Sequence, residues 1–485
     1  MITDMNGKKL HRLLAGVVLA CGLASWGAAQ GTERPNILWI VAEDMGLDLG
    51  CYGTAGVHTP HLDRLAAEGA LYRRAYTTAA ICSPSRSSFM TGLYPHQVFS
   101  KNMRIRPPLE KQTLPEGVDV FTRDLRAAGY AIGFPGHQKT DWGFKDPARA
   151  PYDIKDWEAL TARKPFFGQF QFYDVHRVNL VVNGKQLPFE PCPEHPVDRA
   201  KASLQPYIPE TPAAREEQGA YLENINRLDM KVGALIADLK AKGLYEDTVI
   251  VVMGDNGPPL FRGKGFLSER GLLMPLIVRV PARFNPGFRP GTVSDELVSA
   301  LDIAPTFISL AGGNVPGYME GRIFFGQKKQ PEPQYLFGLR DRLEENVDRV
   351  RSVCGKRYKY IRNFLPEKSC YEAGHKNVAA VNAGLALFRE GNLPPVQAAY
   401  YQTRAKEELY DLADDPHELI NLASLPGHQV TLHGLRAVLD NWITEKKDDG
   451  KFEDPAMLKE MDRRWEEFVK KRRERPQKSS ELLPP

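Results

Sequence analysis

The sequence predicts an α/β fold, with a large domain built on a central, mostly parallel mixed sheet flanked by helices. A smaller C-terminal α+β domain with an antiparallel sheet follows. Three observations predict this. Apolar runs of strand length alternate with stretches of helical spacing through the first two thirds of the chain. The first such run, "NILWIVA", is apolar almost throughout, as a strand buried on both faces must be. Past Gly326 the alternation gives way to shorter strand patterns separated by turn residues.

The elements follow in order. "NILWIVAEDMG" reads as a buried parallel strand that ends in acids and glycine. "TPHLDRLAAEGALYRRAY" carries helical spacing at Leu62, Leu65, Ala66 and Gly69. "VFTRDLRAAGYAIGF", "KPFFGQFQFYDVH", "YLENINRLDMKVGALIADLKAKGLYEDTVIVVMGDNG" and "MPLIVRVP" continue the alternation. Ligands of such sheets sit beyond the carboxyl ends of the strands, where "AEDMG" and "GDNG" fall. "GQKKQPEPQ" is a polar, proline-bearing linker, which sets a catalytic domain at 34–328 and a C-terminal subdomain at 329–450. In the latter, "YLFGLR" and "VRSVCGKRYKYIRNF" read as antiparallel strands with a turn near Gly355 and Lys356. Ala379 to Arg389 reads as a helix, and "EELYDLADDPHELINLA" as a strand, a turn and a helix. Residues 451–485 read as a charged helix and tail.

The balance of 64 basic and 60 acidic residues, net +4, argues against nucleic acid but permits a local anion pocket. Lys8, Lys9 and Arg12 precede an apolar stretch from Leu13 to Ala29, which reads as an export signal spanning 1–29. That implies a periplasmic or secreted protein; lipid anchoring at Cys21 ranks below cleavage after Ala29. Removal of the signal leaves Cys51, Cys82, Cys192, Cys354 and Cys370, an odd number, so at least one is unpaired or modified. Cys354 and Cys370 flank a hairpin and are candidates to pair.

Two groups carry chemistry. Glu43 and Asp44 end one strand, and Asp255 and Asn256 end another far along the chain. Brought together, these oxygen donors suit a hard divalent cation; the alternative is two unrelated loop caps, since Asp and Asn before Gly are common turn formers. The second group is "ICSPSRSSFMTG". Cys82 and Arg86 share a face if the segment opens a helix, and Pro84 suits a first turn. A cysteine there is an activated thiolate, a buried structural thiol or a disulfide partner.

"CSPSRSSFMTG" resembles the signature Cys-x-Pro-Ser-Arg-x-x-x-x-Thr-Gly of the type I sulfatases, in the alkaline phosphatase-like superfamily. "PNILWIVAEDMG", "GDNG", "GKGFLSERGLLMPLIVRVP", "LDIAPTFISLAG" and "ELYDLADDPHELINLA" resemble further stretches of that family, from Pro35 to Ala423. The resemblance implies that Cys82 is oxidised before folding to Cα-formylglycine, by a formylglycine-generating or anaerobic sulfatase-maturating enzyme. Its hydrate attacks sulfur, and loss of the second hydroxyl proton expels sulfate, a release step no serine offers. It implies Ca²⁺, with Mg²⁺ as the lesser choice, on Glu43, Asp44, Asp255 and Asn256. Arg86 would stabilise the ionised diol, and Lys264 would bind a sulfate oxygen and the leaving oxygen.

Three departures accompany the resemblance. "GHQKTDWGF" makes Lys139 the match for the family's lysine and puts Asp141 in the place of a histidine, with His137 near enough to substitute; the choice between them stays open. "FYDVHRV" leaves His176 as the candidate general acid. Glu43 stands for the usual aspartate. "LRDRLEENVDRVRSVCGKRYKYIRNF" resembles heparan N-sulfatase-like and polysaccharide-acting relatives, so a sulfated carbohydrate is the expected substrate class, with O- or N-linkage open. Arg340, Arg342 and Arg351 are candidates to meet an anionic glycan; ion pairs within a charged strand pair are the alternative. Rival readings are a phosphoesterase of the same superfamily and a non-catalytic glycan-binding protein on the same fold.

Overall fold

Asn36–Ala42 (β1) has no exposed residue, and its alternation sends side chains to two different cores. Ile37, Trp39 and Val41 face one, and Leu38, Ile40 and Ala42 face the other. Trp39 is the hub of the first core, where Phe89 and Phe307 meet it edge-on at 5.0 and 5.4 Å. The computed structural model describes residues 34–473, apart from 104, 106, 107, 137, 178, 179, 183, 184, 188, 190, 286, 344, 345 and 375–377. The export segment with Cys21, His137 and the end of the charged tail lie outside the described residues.

The helices of eight residues or more are α1 (Pro60–Glu68), α2 (Cys82–Thr91), α3 (Pro212–Ala241), α4 (Ile303–Leu310), α5 (Ala379–Arg389), α6 (Gln429–Glu445) and α7 (Pro455–Arg473). The large sheet uses β1, β2 (Ala70–Tyr72), β3 (Ala131–Gly133), β4 (Phe166–Phe172), β5 (Thr248–Gly254), β6 (Leu276–Arg279) and β7 (Thr292–Ser294). Their order is β7-β2-β6-β5-β1-β4-β3. The smaller sheet is a meander of β8 (Leu336–Leu343), β9 (Asn346–Cys354), β10 (Tyr358–Asn363) and β11 (Glu407–Asp411), antiparallel throughout. The segment expected as a linker falls between the two sheets, although the chain from Arg34 onward packs as one compact unit. Strand β6, from the "MPLIVRVP" run, runs antiparallel to both its neighbours, β5 and β2, which makes the sheet mixed.

Register is what builds the site. β1 lies parallel between β4 and β5, with Ala42 opposite both Phe172 and Gly254. The three strands therefore stop level, and the residues after each emerge side by side. Those residues are Glu43 and Asp44, the turn from Tyr173 to His176, and Asp255 and Asn256.

One expected element is absent. After β11 the "DDPHELINLA" stretch forms turns instead of a helix. The Asp415 carboxylate accepts from the backbone N–H groups of Leu419 and Ile420 at 2.7 and 2.8 Å, and Glu418 has φ +55. That local bonding competes with the helical ladder. The described residues contain no disulfide. Cys354 and Cys370 do not pair because they pack into separate apolar clusters, Cys354 beside Leu267 and Cys370 beside Phe261 and Tyr400.

Candidate active site

The cysteine of the "CSPSR" stretch is the first residue of α2, and all ten residues of that helix are buried. Pro84 falls in the first turn, where backbone N–H groups have no partner within the helix. The helix ends at Gly92, whose φ of +70 closes the last turn onto Ser88. Its amino end, the positive pole of the helix, lies at the carboxyl edge of the large sheet. Two side chains tie it there. Ser85 Oγ donates to the Asp255 carbonyl at 2.5 Å, and Arg86 Nη2 donates to Asp255 Oδ2 at 2.8 Å.

Glu43, Asp44, Asp255 and Asn256 have no exposed surface. Buried carboxylates require compensating charge. Arg86 meets Glu43 Oε2 at 3.1 Å, Lys264 Nζ meets the two Asp44 oxygens at 2.7 and 2.9 Å, and Lys139 Nζ donates to Glu43 Oε1. Asp141 adds a fourth carboxylate, with Oδ1 3.5 Å from Arg86 Nε and Oδ2 3.5 Å from Lys139 Nζ. The extra methylene of Glu43 lets one carboxylate span Arg86 and Lys139. Asp44 sits at φ +58, unusual for a non-glycine residue, and its N–H donates to Asp255 Oδ1 at 2.9 Å. His176, about a quarter exposed at 28 %, lies with Nε2 3.7 Å from Glu43 and 3.9 Å from Asp44.

The two lysines are tuned apart. Burial works to lower the Lys264 ammonium, but Asp44, the Cys82 thiolate form and Asp255 outweigh it, and its pKa rises. Burial dominates at Lys139, aided by repulsion from Lys264, and its pKa falls despite Asp141. Arg86 shifts upward because Asp255, Asp141 and Cys82 outweigh the effect of its burial.

The donor set fits a hard divalent cation. It is all oxygen, and Asn256 Nδ2 donates to Asp44 while its Oδ1 is buried with no hydrogen-bond partner. Among the described residues, no three His, Cys, Asp or Glu side chains draw together as a bare metal cage. Arg86, Lys139 and Lys264 stand between the acids instead.

The family model described as sulfatase matches residues 35–159 and 152–313.

The chain belongs to the sulfatase family.

A second model, for the C-terminal region of N-sulphoglucosamine sulphohydrolase, matches residues 259–375. An ulvan-active sulfatase of Formosa agariphila is 33% identical over 88% of this chain and 78% of its own. The human N-sulphoglucosamine sulphohydrolase is 28% identical, over 86% of this chain and 91% of its own. The solved structure of a 2-O GAG sulfatase superposes with a TM-score of 0.63 at 22% identity, covering 88% of this chain and 96% of that one, and so shares its fold. Like these sulfatases, the chain is a sulfuric ester hydrolase.

In this sulfatase the structure brings Arg86, Lys139, Asp141, His176, Lys264, Glu43, Asp44, Asp255 and Asn256 to one strand edge, with Cys82 at the helix end beside them. It does not bring the three arginines to a substrate surface, and that expectation is corrected. Arg340, Arg342 and Arg351 are buried and spent on internal partners. Arg351 pairs with Asp448 and Asp341, Arg342 with Glu453, and Arg340 with Asp348. A guanidinium held this way has no free fork for a glycan.

Four contributors escaped the sequence reading. Gln171 accepts from Arg86 Nη1 at 2.9 Å, and a glutamine near the end of a phenylalanine-rich strand was the available signal. Ser85 lay inside the quoted motif. Tyr173 packs its ring 5.8 Å from Lys139 Nζ, one residue past β4, where strand-end position was a usable cue. Met103, with Sδ 3.7 Å from Cys82 Sγ, had no local signal.

Proposed function

We propose that this sulfatase removes sulfate from a sulfated carbohydrate, as ester or sulfamate, using a Cα-formylglycine hydrate at position 82. The observation that carries the reading is the bond from the first turns of α2 to Asp255, through Ser85 and Arg86, which locks position 82 against the acid cluster. The burial of Cys82 supports oxidation of the thiol on the unfolded chain by a separate maturating enzyme, since the folded chain offers no access to it. The carbohydrate class is supported by the ulvan-active relative and by the match to the N-sulphoglucosamine sulphohydrolase C-terminal region.

Glu43, Asp44, Asp255 and Asn256 would hold Ca²⁺. When bound, that ion supplies charge neutralisation on the sulfate oxygens. The need for it follows from charge: four carboxylates face three cations, a balance that repels an anionic substrate. Lys264, kept protonated by Asp44, binds a sulfate oxygen and the leaving oxygen as negative charge develops there. The positive pole of α2 favours the same anion. Asp141, against Arg86 and Lys139, takes the proton from the diol. His176, at the exposed rim of the cluster, gives a proton to the leaving oxygen.

The test is sulfate release by the purified protein on a panel of defined O- and N-sulfated mono- and disaccharides, with phosphate esters as a parallel arm. Peptide mass spectrometry over residues 75–100 should show position 82 with sulfur replaced by aldehyde oxygen. A Cys82→Ala variant should release no sulfate. Full activity in that variant would remove the formylglycine mechanism, and phosphate release without sulfate release would remove the sulfatase chemistry.

A further inference from the structure

The loop that carries Lys264 runs from the end of β5 to the start of β6, and the Lys264 N–H donates within the loop, to the Pro258 carbonyl at 2.8 Å. Two groups from the C-terminal part of the chain grip it on either side. On one side stands Arg340, on β8. Its Nη1 donates to the Gly265 carbonyl at 2.5 Å, its Nη2 donates to the Ala373 carbonyl, and its guanidinium lies 5.0 Å over the Phe266 ring. The Gly265 N–H donates to the Ala80 carbonyl at 2.6 Å, two residues before Cys82. The residue after the lysine is thus pinned between the nucleophile segment and β8.

On the other side stands Glu418, in the turn that replaces the expected helix. Its backbone carbonyl accepts from Arg262 Nη1 at 3.3 Å, and its Oε2 lies 3.5 Å from Arg262 Nη2. The same Oε2 accepts the Glu269 N–H at 2.9 Å. Its Oε1 lies 2.8 Å from Lys359 Nζ, a fully buried ammonium on β10 that also meets Glu269 Oε1 at 3.0 Å. Arg262 itself sits at φ +53, a conformation a non-glycine residue holds only when its surroundings impose it. Glu418 is 3 % exposed, so its carboxylate is given over to these internal partners.

We propose that Arg340 and Glu418 are positioning residues for Lys264: a two-sided clamp by which the C-terminal part of the chain aims the lysine at the reacting oxygens. The proposal rests on the catalytic role of Lys264 given above. It assigns the buried arginine of β8 to the geometry of the site instead of to substrate. It also gives the "DPHELINL" stretch a task that its own chemistry does not reveal. A misplacement of about 1 Å at a catalytic group costs on the order of 10²-fold in rate.

The full mature chain, loaded with Ca²⁺ and normalised for formylglycine content, is assayed with p-nitrophenyl sulfate. The variants are Arg340→Met, Arg340→Lys, Glu418→Gln and, as control, Lys264→Ala. In the Arg340 variants Asp348 keeps its pair with Arg404 at 2.8 Å, and in Glu418→Gln Lys359 keeps its pair with Glu269. Arg340→Met and Glu418→Gln should lose kcat on the order of 10²-fold. Arg340→Lys, which restores one donor to Gly265, should recover part of it. Amide hydrogen exchange should quicken in residues 259–271 and stay unchanged in β1 and β5. The clamp is overturned if kcat stays within about twofold of wild type in both variants. It is also overturned if the rate falls with exchange quickening throughout the sheet, or with no quickening in the loop. Should Arg340→Met not fold, Arg340→Lys and Glu418→Gln carry the same test. Wild-type kcat in Lys264→Ala would instead defeat the role assigned to the lysine, a different failure from that of the clamp.

Discussion

His176 leaves the sheet edge on the turn after β4, close to Glu43 and Asp44 yet open to solvent on its outer side. That combination suits a group that must meet a bulky alcohol as it departs. Its service matters most when the leaving group is basic, because an activated phenolate needs no proton. His176→Ala should therefore lose roughly 10²-fold or more on carbohydrate sulfates and far less on p-nitrophenyl sulfate. Parallel kcat/KM measurements on the two substrates check this, and equal losses on both would take His176 out of the acid role. Lys139 and Lys264 illustrate a second point at this scale. One residue type, a short distance apart, is pushed down in pKa at one position and up at the other, because only Lys264 holds both oxygens of a buried aspartate.

The segment between β5 and β6 depends on glycine for a steric reason, which Gly263 and Gly257 illustrate. A Cβ on Gly263 would stand 2.0 Å from the Pro258 carbonyl oxygen, and one on Gly257 would stand 1.9 Å from that of Arg270. Both obstacles are backbone and have little room to move. Gly263→Ala should strain the turn by about 1–3 kcal/mol, displace Lys264 and lower kcat at least 10-fold. The large sheet, whose strands lie outside the turn, should keep its thermal midpoint within a few degrees. An alanine variant as active as wild type would contradict the close approach. β1 and β5 were readable because each is a nearly unbroken apolar run, and α1 because its apolar residues recur at helical spacing. The fate of "DDPHELINLA" was not, because its helical pattern competes with Asp415 bonding and with the inward demand on Glu418.

Across the whole molecule, the C-terminal sheet and the turn after α6 are fastened by Arg351 and Asp448. Arg351 Nη2 donates to Asp448 Oδ1 at 2.9 Å, and both groups are buried. Burial raises the Asp448 carboxyl, but Arg351 outweighs it and the pKa falls to about 2. A carboxyl depressed in the folded state stabilises the protein above its unfolded pKa, near 3.9, and that stability is lost as pH falls toward 2. The contribution is about 2 kcal/mol at neutral pH. Asp448→Asn should lower the thermal midpoint at pH 7, and its deficit against wild type should shrink between pH 4 and pH 2. Denaturation of both proteins across that range tests it, and a deficit constant with pH would refute the linkage. The pair joins β9 to the turn after α6, 97 residues later, so no local spacing announced it.

The amino acids alone were enough for the alternating fold, the acids at strand ends, and, through the motifs that resemble the family's, the cysteine and the two lysines. Each of these is carried by short-range repetition or by a contiguous motif. Packing settled the rest. Level strand ends made neighbours of Ala42, Phe172 and Gly254, and so gathered side chains more than 200 residues apart. Burial turned Arg340, Arg342 and Arg351 from candidate glycan contacts into internal struts. A guanidinium reads the same in a sequence whether it faces water or a buried aspartate, and only the surrounding chain decides which.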